Sequence, residues 1–220
     1  MLSVTQIQKL FNSQDHTRMI TSLADNGAAL PLPLQARLTQ PAATAGLGLR
    51  RLTELTYGPT SLSRDMIDAL LDTQLPDGSF PGQVDHDPLT TAAAAAGLAA
   101  TLREQRPAPG TTPGSVPDPH TAQALDHALT ALAGMQDGEG LFRHGDDRTE
   151  QDRALTSAFV LFLLARLPGF REACRFADLM TWFDERADRL DEDTAQLYHM
   201  ASLDDPTRHP LSPALNAIAA

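Results

Sequence analysis

Two stretches of this 220-residue chain, 91–102 and 154–167, are apolar at nearly every position. Wound into helices they would have no wet face, and a helix that is apolar all round has to be covered all round. Residues 119–135 differ, setting Asp126 and His127 among spaced Leu and Ala as a helix with one solvated face does. Inner helices that need cover thus alternate with outer helices able to provide it. The pattern predicts an all-α protein, an α/α barrel or an arc of one.

The residue inventory agrees. There are 33 Ala and 33 Leu against 4 Val and 4 Ile. Strands favour branched and aromatic side chains, whereas Ala and Leu lose little entropy in a helix, so a β-sandwich, a β-barrel and a Rossmann sheet are excluded. A chain of this length removes roughly 70% of its unfolded surface from water, enough for a real core. The net charge of −11, with Lys9 the sole lysine and Arg50-Arg51 the one adjacent basic pair, argues against nucleic acid and against an anionic membrane surface. Cys174, the single cysteine, permits no internal disulfide and fits a reducing cytoplasm. Met1 to Asn12 has neither a basic start nor an unbroken apolar run, so no signal peptide is expected. Ala154 to Leu167 is too short to span a bilayer, so no transmembrane segment is expected either.

Pro and Gly divide the chain into helical pieces at about 4–12, 15–25, 42–57, 61–74, 88–104, 119–135, 150–167, 169–186 and 192–204. Pro31-Leu32-Pro33 reads as an extended link. Three regions follow: an N-terminal helical segment 1–30, a repeat domain 31–205 with a Pro/Gly-rich connector at 105–119, and a loosely packed tail 206–220.

Within the repeat domain two units match. The first runs through Gln74, Asp77-Gly78-Ser79-Phe80, Asp87 and Thr91 to Leu102. The second runs through Gln136, Asp137-Gly138, Phe142, Asp152 and Thr156 to Leu167. Their period is about 60 to 65 residues. An outer helix ending in Gln, a short spacer, Gly, any residue and an aromatic, then a polar loop and an apolar helix, resembles the repeat of the terpenoid cyclases and protein prenyltransferases, squalene-hopene-cyclase-like. The resemblance covers residues 61–167 and implies an α/α toroid, here short or incomplete. It also implies that Gln74, Asp77, Gly78, Phe80, Gln136, Gly138 and Phe142 are structural, tying neighbouring helices together.

The site-forming residues of that group are only partly present. The Asp-any-Asp-Asp stretch that protonates an alkene has its nearest equivalents in Asp85-His86-Asp87 and Asp191-Glu192-Asp193, each lacking the last acid. Asp146, Asp147 and Glu150 match the pattern with which ionisation-type isoprenoid enzymes hold Mg²⁺ and diphosphate, since carboxylates at i, i+1 and i+4 can share one hard cation. The chain names no cofactor, and Mg²⁺ is the one this pattern would take. Asp85, His86 and Asp87 in one loop and His144, Asp146, Asp147 and Asp152 in the other are expected at one acidic rim, which makes Asp85, Asp87, Asp146 and Asp147 the candidate catalytic acids. Glu172, Cys174 and His199 imitate a prenyltransferase zinc set. Leu47, Ala94, Leu98, Phe159 and Leu163 are the candidate lining of an apolar lumen.

Two functions stay open on these residues. The protein binds an isoprenoid-like apolar molecule in the lumen, with terpene cyclase or prenyltransferase activity where the rim is active. Alternatively it is a catalytically inactive toroid scaffold that serves as a protein-binding or regulatory module. An incomplete ring could also be completed by a second copy, giving a homo-oligomer.

Overall fold

The computed structural model describes residues 30–54, 60–104, 118–145 and 147–203. The two expected helices of the 1–30 segment, nearly all of the 105–119 connector, Asp146 and the 206–220 tail lie outside the described residues. Among the described residues there are nine α-helices and no strand, so the protein is all-α. The helices are α1 (Leu32–Arg37), α2 (Pro41–Glu54), α3 (Ser61–Thr73), α4 (Pro88–Glu104), α5 (Pro119–Gly134), α6 (Glu150–Leu164), α7 (Pro168–Ala173), α8 (Phe176–Glu185) and α9 (Glu192–Leu203), with a 3-10 turn at Ala187–Arg189 before the last.

The helices begin where the chain supplies a cap. Thr60 and Ser63 form a reciprocal capping box on α3, and Thr149 and Asp152 form one on α6. Asp118 accepts from the amides of His120 and Thr121 at the start of α5. Two expectations give way to local physics. Pro31-Leu32-Pro33 is not an extended link. Pro31 takes the N-cap position and Pro33 falls in the first turn, where the missing N–H costs nothing, so α1 starts at Leu32. The single helix expected over 169–186 is broken at Cys174, whose ψ of 160° is extended.

The packing sorts the helices as their polarity requires. Every residue from Asp87 to Thr101 is buried, as is every residue from Ala154 to Leu161. The buried residues of α3 are Met66 and Leu70, and those of α5 form a stripe of Thr121, Ala124, Ala128, Leu129 and Leu132. Contacts between helices run α2 to α4, α4 to α6 and α6 to α9 in one layer, and α3 to α5, α5 to α7 and α7 to α8 in the other. Helices α3 and α5 cover α2 and α4 respectively.

The tightest crossing is between α2 and α4. A Cβ added at Gly46 would lie 2.1 Å from the Ala93 carbonyl oxygen, and one added at Gly97 would lie 2.5 Å from the Gly46 carbonyl oxygen. The obstacles are backbone atoms, which cannot swing aside as a side chain can. Ala92 to Ala96 make this approach possible along more than one turn of α4.

Gly46→Ala is therefore expected to cost at least about 1–3 kcal/mol as an overpacked core substitution. Gly134→Ala, where the added methyl meets nothing within 4 Å at the end of α5, should instead gain up to about 1 kcal/mol from helix propensity. Urea midpoints of the two variants will move in opposite directions; an unchanged midpoint for Gly46→Ala would contradict the close crossing.

Candidate functional site

The two turns that join outer to inner helices are built alike. Gln74 Nε2 donates to the Gly78 carbonyl at 2.9 Å, and Gln136 Nε2 to the Gly140 carbonyl at 2.6 Å. Leu75 N–H bonds to Ser79 O in the first turn as Asp137 N–H bonds to Leu141 O in the second. Gly78 and Gly140 share a φ of +86°, a left-handed conformation that only glycine adopts at little cost. The glycine of the second turn is thus Gly140, four residues after Gln136, and not Gly138. Gly138 has open space where a Cβ would go, and contributes its carbonyl to Arg175 Nη1.

Both glutamines also reach the next outer helix. Gln74 Nε2 donates to Ala124 O of α5 at 2.8 Å, while Gln136 Oε1 accepts from Arg175 N–H at 2.8 Å. The latter amide is free for Gln136 because the chain breaks at Cys174. Phe80 and Phe142 are buried at the end of each turn, and each donates its backbone N–H to a hydroxyl on the following inner helix, Thr91 and Ser157 respectively.

Those two hydroxyls correct the register between the units. Turn residues correspond across 62 positions, from Gln74 to Gln136, whereas the inner helices correspond across 66, from Thr91 to Ser157. The second loop is four residues longer. The buried acid equivalent to Asp87 is then Asp147 rather than Asp152. Thr90 Oγ1 donates to Asp87 Oδ2 at 2.9 Å and Thr156 Oγ1 to Asp147 Oδ2 at 3.0 Å. The paired signals Thr90-Thr91 and Thr156-Ser157, each opening an apolar helix, carry this alignment in the sequence.

Around these acids lies a buried polar chain. Asp87 Oδ1 accepts from the amides of Leu89 and Thr90, capping α4, and Oδ2 also accepts from Gln83 N–H. His144, fully buried, places Nε2 3.9 Å from Asp87 Oδ2. His144 N–H donates to Asp147 Oδ2, and Arg37 of α1 pairs with Asp147 Oδ1 at 2.7 Å. Two loops and α1 thereby meet at one end of α4 and α6. Of the expected rim residues the structure brings together Asp87, His144 and Asp147; sequence reasoning missed Arg37, which sits between the link expected at Pro31-Leu32-Pro33 and the helix expected from about 42.

The other expected residues lie elsewhere. Asp85 and His86 are exposed, and His86, at φ 54°, sets Nδ1 3.3 Å from Asp77 Oδ2. With Thr130, Met135 and Arg143 these three line an open cleft of about 480 Å³. Asp152 is engaged in its capping box. Of the expected Mg²⁺ set, Asp146 lies outside the described residues, Asp147 is turned inward onto Arg37, and Glu150 is exposed beside Arg186 at 3.4 Å. Among the described residues no group of three or more His, Cys, Asp or Glu could hold a metal ion. Cys174 is buried, and desolvation pushes its thiol up to about 12, while Glu172 and His199 are exposed. Leu47, Ala94, Leu98, Phe159 and Leu163 all belong to the buried hydrophobic cluster. No helix among the described residues is long and apolar enough to cross a membrane. Comparison with known protein families, with curated proteins and with solved structures finds no match to this chain in any of the three.

Two outcomes follow from these contacts. At Gln74 both bonds are donated, so Gln74→Glu sets a carboxylate against two carbonyls and should cost about 1–3 kcal/mol. Gln136→Glu keeps the acceptor for Arg175 and should cost less, which denaturant titration of the pair will show. The second outcome concerns acid. The hydroxyl of Ser79 lowers the Asp77 pKa, that of Thr121 lowers Asp118, and that of Thr149 lowers Asp152, each from an ordinary 3.8. Depressed folded values stabilise the native state above 3.8, and that contribution is lost as pH falls through them. An Asp118→Asn/Asp152→Asn variant should show a shallower fall in Tm than wild type on going from about pH 5 to about pH 2.5. Parallel curves would mean that these caps do not couple to folding.

Proposed function

We propose that the chain is an α/α-repeat binding module of the terpenoid cyclase and protein prenyltransferase type, a short toroid that holds a protein partner in the cytoplasm. Its rim carboxylates fasten helix ends and loops instead of protonating an alkene or binding a metal diphosphate. One observation carries this reading: the oxygens of both buried rim acids are taken up by donors of the chain itself. Asp87 receives three amides and the Thr90 hydroxyl. Asp147 receives the Arg37 guanidinium, the His144 amide and the Thr156 hydroxyl. A general acid must present an O–H to its substrate and a metal ligand must present a lone pair; four donors leave Asp87 no acceptor site to offer, and three leave Asp147 a single one, on the oxygen that Arg37 holds. The layered contacts from α2 through α9, and the Gln–Gly–Phe turns between layers, support the toroid part of the reading.

The competing reading, an isoprenoid-handling enzyme, predicts a different response to ligand. A ligand that binds only the native state raises Tm, by about 2.7 kcal/mol of stability at a hundred times its Kd. Farnesyl and geranylgeranyl diphosphate, each with and without Mg²⁺, are therefore titrated against wild type and Asp147→Asn in a thermal-shift assay. The module reading expects no Mg²⁺-dependent rise with either. A Mg²⁺-dependent rise that disappears in Asp147→Asn would overturn it in favour of an active rim.

A further inference from the structure

Helix α1 is attached to the body in an unusual way. It is six residues long and opens on Pro31 and Pro33. It packs lengthwise against no other helix among those described. Its own hydrogen bonds are local, from the amides of Leu34 and Gln35 to Pro31 O and from Leu38 to Leu34 O. Six residues are far fewer than a helix needs to persist by itself in water. Its order therefore depends on what it touches.

What it touches is the rim. Leu30, Leu34 and Leu38 are buried on one side, while Leu32 on the other is 78% exposed. Arg37 reaches the second loop, bonding Asp147 at 2.7 Å with Thr156 Oγ1 at 3.4 Å beside it. From the first loop, Gln83 Nε2 reaches back to Ala36 O at 2.9 Å and Thr39 Oγ1 at 3.0 Å. The segment crosses both loops, tied to the first through Gln83 and to the second through Arg37.

We propose that α1 is a releasable strap across the rim end of the inner helices, latched by Arg37 on Asp147 and by Gln83 on the 36–39 backbone and side chain, with apolar surface beneath it. The latch and the strap are coupled through charge. The Asp147 side chain is fully enclosed while Arg37 retains 15% exposure. Cutting the ion pair with the strap in place would strand a carboxylate away from water, and lifting the strap removes that penalty by admitting solvent. Loss of Arg37 alone therefore drives the strap open, whereas neutralising both residues loosens it by the loss of that tie without a stranded charge. The strap is independent of the partner proposed above, because it concerns what covers the rim and not what the module binds.

Hydrogen exchange tests it on the full chain. The variants are Gln83→Ala, which cuts one tie at an exposed side chain, and Arg37→Gln/Asp147→Asn, which cuts the other without leaving a lone charge. In the double variant amides of 31–39 should exchange at least about tenfold faster than in wild type while those of α4 keep their protection. Emission of the apolar dye 8-anilinonaphthalene-1-sulfonate should rise several-fold with far-ultraviolet dichroism unchanged. Gln83→Ala should shift both readouts the same way by less. Wild-type protection of 31–39 in the double variant overturns the strap. So does loss of protection in 31–39 only in step with α4 and α6, and so does faster exchange without added dye emission.

Discussion

A helix with no polar face cannot sit at a surface, and α4 has none: fifteen successive positions from Asp87 to Thr101 are buried. Much of the architecture answers that requirement. Helices α2, α5 and α6 pack around α4, and each has a composition suited to its side of the contact. Toward α2 the run Ala92 to Ala96 and the pair Gly46 and Gly97 let the two backbones approach until carbonyls touch where side chains would stand. The surface lost to water along this crossing consists of methyl groups and backbone, and its stability comes from close contact over a long seam rather than from a few large side chains. The large aromatics are spent elsewhere, chiefly on α6 to α8, where Phe142 stacks on Phe170 and Trp182 meets Phe183 edge to face.

Burying the beginning of such a helix creates a second demand, because its first amides have no partners of their own. At α4 Asp87 supplies them, and the aspartate must itself be buried to do so. A buried carboxylate then needs further donors, and the Thr90 hydroxyl and Gln83 N–H provide them, with His144 Nε2 3.9 Å away. The second unit solves the problem by another route. Its helix α6 starts further out, in an exposed capping box, and the buried acid Asp147 is balanced by Arg37 from outside the repeat. The rim's polar residues are thus explained by the needs of the apolar helices they precede.

Much of this is legible in residue types alone. Helix positions from α2 to α6 and that of α9 follow from Pro, Gly and capping residues, because those signals act within a few positions and do not depend on tertiary contacts. The alternation of wet-faced and fully apolar helices likewise needs only periodicity. What escapes is whatever depends on partners distant in the chain. The break at Cys174 is coupled to Gln136 receiving an amide 39 positions on, and no local rule marks it. The displaced register of the inner helices hides behind a coincidence, since Asp152 and Thr156 repeat the spacing of Asp87 and Thr91 while Thr156 and Ser157 repeat the contacts of Thr90 and Thr91. Arg37 could not be assigned to the rim from a stretch lying between an expected link and an expected helix. The acids Asp85, Asp87 and Asp147 look equivalent as letters, and burial and hydrogen bonding divide them into one solvated side chain and two structural ones.

The difference of four residues between the two rim loops carries a consequence of its own. The turn before each loop is held by like bonds within the turn, from the Gln side chain to the Gly carbonyl, and the helix after it is held by its helical neighbours. Neither can absorb a change in length. The loops between them differ instead, and in the longer one the added residues fall between the acid and the threonine that bonds it, Asp147 and Thr156, against Asp87 and Thr90 in the shorter. Geometry here separates a frame that the two units share from an edge at which they differ, much as a keyboard fixes its keys and leaves the tune open. A difference in length confined to that loop alters which groups the end of the bundle presents while the helices on either side keep their packing.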